Sequence, residues 1–122
     1  MSKAYDFIKE CGYFYVLTIN GDFPAGRPFG SIYEHDDRLF LCTGDSNFVH
    51  GQLRKNGNIQ ILAKKEGTRE WLRITGKAEE CTDAATKRMV YEKCPGVRNH
   101  VSDPADPHYL VFSVEVLETE FK

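Results

Sequence analysis

The sequence predicts a mainly β fold: six antiparallel strands closed into a small barrel, with helices plugging or covering it. Three observations carry this expectation. The chain has 122 residues, a length that suggests one domain able to bury a core without disulfides or metals. Most of its apolar residues alternate with period two, the strand signature. The segments are joined by turns too short for parallel crossovers, which need a dozen residues or more. Six antiparallel strands escape exposed edges by closing on themselves.

Ser2 to Cys11 reads as a first helix, with Ser2 as cap, Tyr5, Ile8 and Cys11 on one face and Gly12 as the stop. Tyr13 to Ile19 is the strongest strand, nearly all β-branched or aromatic. Asn20-Gly21-Asp22 signals a hairpin. Pro24 to His35 is expected as one second strand with an irregular start, because Pro24, Gly26, Pro28 and Gly30 weaken a ladder. Asp36-Asp37 turns the chain into a third strand, Arg38 to Thr43.

Leu39 to Gly57 is the stretch around which the chain is organised: strand, polar loop, helix. Thr43-Gly44-Asp45-Ser46-Asn47 has turn chemistry. Asp45 or Ser46 is the expected cap of a helix carrying Phe48, Val49, Gln52 and Leu53, with Asn56-Gly57 as its left-handed stop. A strand entering a polar loop and a helix N-terminus directs free N–H groups at one point, which suits an anion. An ordinary capped helix satisfies the same pattern.

Asn58 to Lys65 is the fourth strand, with Ile59, Ile61 and Ala63 facing one way. Glu66-Gly67-Thr68 turns into the fifth, Arg69 to Cys81, where Trp71, Arg73 and Thr75 oppose Leu72 and Ile74 and Gly76 marks a bend or bulge. Thr82-Asp83 caps a third helix bearing Met89 and Val90, which ends before Pro95. Gly96 to Pro107 reads as loop, and Tyr109 to Glu120 as the last strand.

Composition excludes several classes. Hydrophobic residues make 41% and charged residues 28%, normal for a globular protein, and the net charge of −2 offers no footprint for nucleic acid or an anionic membrane. No apolar run approaches the ~20 residues of a membrane span. Met1 to Asp6 lacks a signal-peptide pattern, so a cytoplasmic protein with reduced thiols is expected. Cys11, Cys42, Cys81 and Cys94 match no zinc spacing, and His35, His50, His100 and His108 form no ligand pair, so no metal is assigned. Cys42, at a strand end, reads as a small buried residue rather than a nucleophile.

Two further stretches carry candidate chemistry. Gly26-Arg27-Pro28-Phe29-Gly30 lets another molecule approach the backbone, and Arg27 offers a guanidinium to phosphate or carboxylate. An irregular edge strand with a solvated arginine is the plainer account. Trp71 is the only tryptophan; its ring can stack on an aromatic ligand, fill a subunit contact or sit in the core, and Arg73 shares its face.

Taken in order, these segments resemble the pyridoxamine 5'-phosphate oxidase-like family of FMN-binding split β-barrels. The resemblance rests on Tyr13–Ile19, Arg27-Pro28-Phe29-Gly30, Leu39–Gly44, Gln52–Asn56, Trp71–Ala78 and Val111–Val114, and spans almost the whole chain. It implies one domain over residues 1–122, a six-stranded split barrel and a homodimer with FMN in the interface cleft. Arg27, Pro28 and Phe29 would run along the flavin. Cys42, Thr43, Ser46 and Asn47 would hold phosphate and ribityl groups, and Trp71 would border the ring.

Two departures qualify what is implied. Relatives carry lysine or arginine around positions 47 to 49, where this chain has Asn47, Phe48 and Val49. Losing one charge-assisted hydrogen bond of roughly 1.5–3 kcal/mol weakens binding about ten- to a hundredfold. The oxidases proper continue into a substrate-binding tail beyond the last strand, whereas this sequence ends at Phe121-Lys122, which argues against vitamin B6 synthesis. The expected function is that of an FMN flavoprotein, an oxidoreductase using a small-molecule substrate or electron donor, with no catalytic side chain singled out. His50 is a candidate proton donor or a plain surface histidine. The competing expectation is a non-catalytic split barrel that carries or senses flavin, haem or a deazaflavin.

Overall fold

Rows of inward-facing side chains decide the architecture. In the computed structural model, which describes residues 2–122, Phe14, Val16 and Thr18 lie on the buried face of the first strand, and Ile59, Ile61 and Ala63 and then Leu72 and Ile74 continue the same row. Their strands are β1 (Phe14–Asn20), β2 (Phe23–Phe29), β3 (Ile32–His35), β4 (Arg38–Gly44), β5 (Asn58–Lys64), β6 (Trp71–Cys81) and β7 (Tyr109–Phe121). The helices are α1 (Lys3–Cys11), α2 (Val49–Lys55), α3 (Ala84–Lys93) and α4 (Pro95–Arg98).

All seven strands form one antiparallel sheet in the order β2-β1-β5-β6-β7-β4-β3. This corrects the expected count of six, because the stretch from Pro24 to His35 is two strands. Gly30 and Ser31 break it, and its halves pair with different neighbours, β2 with β1 and β3 with β4. β2 and β3 are the two edges of the sheet, yet only two residues join them. Phe29 and Ile32 are three residue steps apart, at most about 11 Å, so the sheet must curl until its edges meet. The closure is covalent, through the chain, where a ladder would otherwise be needed. That is a split barrel.

The turns follow the sequence closely. Pairing of Asn20 with Phe23 and of His35 with Arg38 leaves two-residue loops. Asp36 and Asp37 both take positive φ, 50° and 64°, the backbone of a type I′ hairpin, which aspartate tolerates better than most residues. At Gly76 the β6–β7 register shifts: Thr75 faces Glu118 while Gly76 faces Val116, leaving Leu117 as the extra residue of a bulge. A Cβ on Gly76 would stand 2.3 Å from the carbonyl oxygen of Glu115.

Two cores result. The barrel interior holds Phe14, Val16, Ile32, Leu39, Leu41, Ile61, Leu72, Ile74, Phe112 and Val114, and is closed by Tyr5 and Ile8 of α1 and Val49 and Leu53 of α2. A second core lies outside the barrel wall, where Phe40, Cys42, Tyr109 and Val111 meet Val90 of α3, Cys94 between the two helices, and Val97 of α4. The first six residues of β7 are therefore buried on both faces. The helix α4 lies where a loop was expected.

Two details of α2 also differ from expectation. Its N-cap is Phe48, in αR conformation; Asn47, rather than Asp45 or Ser46, supplies the local side-chain bond, its Oδ1 accepting from the Val49 N–H at 3.1 Å. Its stop is Asn56 in extended conformation, without a left-handed glycine. Gly57 is needed for a different reason. A Cβ there would stand 2.6 Å from the Ala78 carbonyl oxygen, and the Gly57 carbonyl accepts from the Ala78 N–H at 2.7 Å.

Candidate functional site

Arg27 organises the site. It stands opposite Val16 in the β1–β2 ladder and so shares the inward face of β1 with Thr18. Its Nη1 donates to Thr18 Oγ1 at 2.7 Å, to the Ala25 carbonyl at 3.2 Å and to the Val16 carbonyl at 3.3 Å. Nη2 donates to Gln52 Oε1 at 2.8 Å, and the Thr18 hydroxyl donates to the same oxygen at 2.5 Å. Every acceptor is neutral. No carboxylate faces this guanidinium among the described residues, and burial pulls its pKa down. It stays charged all the same, and its Nε–H and one Nη2–H are left over from these bonds. A half-buried cation without a counter-charge can accept an anion as a partner.

The loop after β4 lies beside the break between β2 and β3. Ser31, Cys42, Thr43, Gly44 and Gly96 line one small cavity of about 150 Å³. Asn47 Nδ2 donates to Thr43 Oγ1 at 3.0 Å, and the Thr43 hydroxyl donates to the Gly44 carbonyl at 3.0 Å. Asn47 thus ties the loop to both the strand it leaves and the helix it enters. Ser46 and Phe48 are exposed. With seven residues, α2 contributes a short dipole, so the loop offers backbone N–H groups and hydroxyls more than charge.

A larger cleft of about 580 Å³ opens between the β1–β2 hairpin and α2, lined by Asn20, Phe48, Gly51, Gln52 and Lys55 among others. Gln52 connects this cleft to Arg27. Lys55 lines the same cleft.

The expected site residues lie in several places, with Ser46 exposed on the loop. Arg27 is bonded to Gln52 of α2, and Thr43 and Asn47 are bonded to each other at the N-terminal end of that helix. Pro28 is exposed on β2, and Phe29 packs inward against Phe14, with ring centroids 6.2 Å apart. The Cys42 side chain packs in the second core, and the residue also lines the small cavity. Trp71 stands apart: Phe29 pairs with Phe14 on β1, and β5 intervenes before β6. Three strand spacings, about 14 Å, separate it from β2 within one chain. Its ring carries the Arg73 guanidinium 5.4 Å from the centroid, and Arg73 pairs with Glu120 at 2.9 Å.

Sequence reasoning missed Thr18, Gln52 and the His108–Asp45 pair. The first two had a signal: each is a polar residue in an otherwise apolar row, Phe14-Val16-Thr18 on β1 and Val49-Gln52-Leu53 on α2. The third had none. Asp45 Oδ2 lies 2.8 Å from His108 Nδ1 across 63 residues of sequence, pinning the loop to the start of β7. The hydrogen bond from His108 holds the Asp45 carboxyl below its usual range, and the same bond raises the His108 pKa above its ordinary 6.5. His50 is half-buried on α2, its Nδ1 shielded and without a hydrogen-bond partner among the described residues. Those residues hold no cluster of ligands suited to a metal ion, and no helix is long and apolar enough to cross a membrane.

The chain is matched over residues 2–122 by the family model described as pyridoxamine 5'-phosphate oxidase. Among solved structures it is similar to a nimC/nimA family protein from Clostridium acetobutylicum, at 26% identity and TM-score 0.86, covering 98% of this chain and 88% of that one. A protein related to general stress protein 26, also from Clostridium acetobutylicum, aligns at 18% identity and TM-score 0.81 over 98% and 85% of the chains. A FAD-binding protein from Mesorhizobium loti aligns at 14% identity and TM-score 0.68 over 98% and 94%. No curated protein matches. A family match over nearly the whole chain, on a sheet whose edges are joined through Gly30-Ser31, means that this protein belongs to the pyridoxamine 5'-phosphate oxidase family.

Proposed function

We propose that this protein is a flavin-binding split barrel that takes FMN, works as a homodimer and acts as an oxidoreductase on a small-molecule substrate or electron donor. The observation that carries this reading is Arg27: a half-buried guanidinium whose partners are all neutral, with N–H groups to spare. Those donors fit a phosphate. Thr43, Ser46 and the loop N–H groups would share the phosphate and ribityl groups, and Pro28 and Phe29 would flank the ring. When bound, the flavin supplies the two-electron redox chemistry, hydride exchange at N5 of its ring. The residues of the chain bind it, orient it and screen one of its faces.

The dimer has its own support. The outer face of β1, β5, β6 and β7 carries Tyr15, Leu62, Arg73 and Glu120 in one register row, with Tyr13 and Leu117 exposed beside it. The helices α3 and α4 cover the other part of the wall. Stacking two such faces would bury the aromatic residues and bring the Trp71 of one copy toward the β2 edge of the other. That removes the objection that Trp71 is three strands from Arg27 within one chain. On this reading residues 1–122 work as one flavin-binding domain.

The absence of a basic residue at Asn47, Phe48 and Val49 favours a second reading, a non-catalytic module that carries or senses flavin, haem or deazaflavin. The deciding experiment is FMN titration followed by visible spectroscopy of the washed protein. A retained yellow spectrum, and turnover with a reduced nicotinamide and an electron acceptor, is the expected result. Retained flavin without turnover would leave the carrier reading standing, and a protein that cannot be loaded would remove both flavin readings.

A further inference from the structure

The cleft of about 580 Å³ between the β1–β2 hairpin and α2 lies within the range of about 300–1,000 Å³ that ligand pockets occupy. It meets the Arg27 site at one residue. Gln52 lines the cleft, and its Oε1 accepts from Arg27 Nη2 at 2.8 Å and from the Thr18 hydroxyl at 2.5 Å. Both bonds fall on the oxygen, so the Gln52 amide N–H groups keep no partner among the described residues.

Gly51 is the second observation. It is the third of seven residues in α2, where glycine supports a helix less well than alanine. Its φ is not positive, and a Cβ there would meet nothing within 4 Å. Neither backbone nor packing within the chain calls for glycine at this position, and the residue lines the cleft. Phe48 and Lys55 line it too, both exposed, Phe48 at 82%. Positions 48, 51, 52 and 55 follow helical spacing and share one face.

We propose that this cleft takes the adenylate end of a flavin dinucleotide, so that the flavin held most tightly is FAD. The proposal rests on the reading that Arg27 holds the flavin phosphate, and it names which flavin that is. The first phosphate stays on Arg27, and the second meets the Lys55 ammonium, with the Gln52 amide donating between them. The adenine lies on the Phe48 ring, and the bare backbone at Gly51 gives it room.

Charge supports the same choice. The phosphate of FMN is a monoester, and such a group carries about 1.5 to 2 negative charges at neutral pH. Positions 47 to 49 are Asn, Phe and Val, so Arg27 would face that charge without a loop cation. The diphosphate of FAD carries one charge on each phosphorus. That pattern suits two separate cations, Arg27 and Lys55, on either side of Gln52.

The test is isothermal titration of the flavin-free full chain with FMN and with FAD at one ionic strength. FAD is expected to bind about tenfold more tightly than FMN. Lys55→Met should remove that advantage by weakening FAD, with FMN changed less than about twofold. Gly51→Ala should keep or raise the urea midpoint, since alanine is the better helix former and meets nothing, yet lower FAD affinity about tenfold. A purely structural glycine would not separate stability from binding in this way. Equal affinity for the two flavins would overturn the adenylate site and leave the phosphate site at Arg27 standing, whereas binding of neither would remove both. A nicotinamide dinucleotide carries the same adenylate, and ADP-ribose is its probe. If FAD shows no advantage and ADP-ribose binds the FMN-loaded protein, the cleft serves that dinucleotide and the proposal fails. FAD affinity unchanged in both Lys55→Met and Gly51→Ala would refute the place assigned to the adenylate.

Discussion

At the scale of single residues, Arg27 and the His108–Asp45 pair behave differently because one is shielded and the other exposed. Arg27→Met removes the unpaired cation and leaves Thr18 and Gln52 bonded to each other. FMN affinity, read by quenching of flavin fluorescence, is expected to fall about ten- to a hundredfold, the worth of one charge-assisted contact. Arg27→Lys should recover part of it, since charge returns without the fork. An unchanged affinity in Arg27→Met would remove Arg27 from the phosphate site. The His108–Asp45 pair sets a pH window. His108 has a raised pKa, so its contribution is fully present below the ordinary 6.5 and is lost as pH climbs through the raised value. Asp45 has a lowered pKa, so its contribution holds above the ordinary 3.8 and is lost as pH falls through the lowered value. The loop should be tied to β7 between these limits and loosen on either side, above the raised His108 value and below the lowered Asp45 value. NMR titration of the His108 imidazole should show the raised midpoint, and Asp45→Asn should return it toward 6.5. Arg27 was legible in the sequence as a candidate anion ligand because of the glycines and prolines beside it. Its neutral partners were not, since Thr18 and Gln52 come from other elements.

Among the elements, β6 and β7 show how one glycine can set a register. At Gly76 the bulge brings the Glu115 carbonyl to where a Cβ would sit, and backbone on both sides leaves little to yield. Gly76→Ala is expected to cost about 2 kcal/mol or more, read as a lower urea midpoint with an unchanged slope; a midpoint within error of wild type would mean that the two strands can separate cheaply. Gly57→Ala should behave alike against Ala78. The sequence already marked Gly76 as a bend or bulge. It did not mark Gly30-Ser31 as the end of one strand and the start of another, because a two-residue break leaves the alternation on either side intact. Local alternation reports which face a residue takes, never which neighbour its strand will find. The short helix α4 was missed for a related reason: four residues carry too little periodicity to register against the polar punctuation around them.

For the whole molecule, the testable matter is the exposed outer wall of β1, β5, β6 and β7. Charging it at Tyr15 and Leu117, both exposed in the single chain, should leave the fold intact and convert a dimer to monomer in analytical ultracentrifugation. If the flavin cleft is shared between copies, FMN retention should fall with dissociation, and Trp71 fluorescence should respond to FMN only in the dimer. A monomeric wild-type protein that still binds FMN would refute the shared cleft. This wall was visible in the sequence only as half of an alternation, polar and aromatic residues opposite the core row, since a strand pattern does not say whether its outer face meets water, a helix or another chain.

What the sequence by itself determined was the kind, order and facing of nearly every element, because turn chemistry and period-two alternation are properties of neighbouring residues. The tertiary structure decided three further things. It divided Pro24–His35 into the two edges of one sheet and joined them by the chain. It gave Arg27 neutral partners and left it without a counter-charge. It put Phe40, Cys42 and Tyr109 of the barrel wall into one buried cluster with Val90 and Val97 of the helices outside it. Each depends on which distant segments become neighbours, and that is fixed by burying two cores at once, a constraint that no local pattern records.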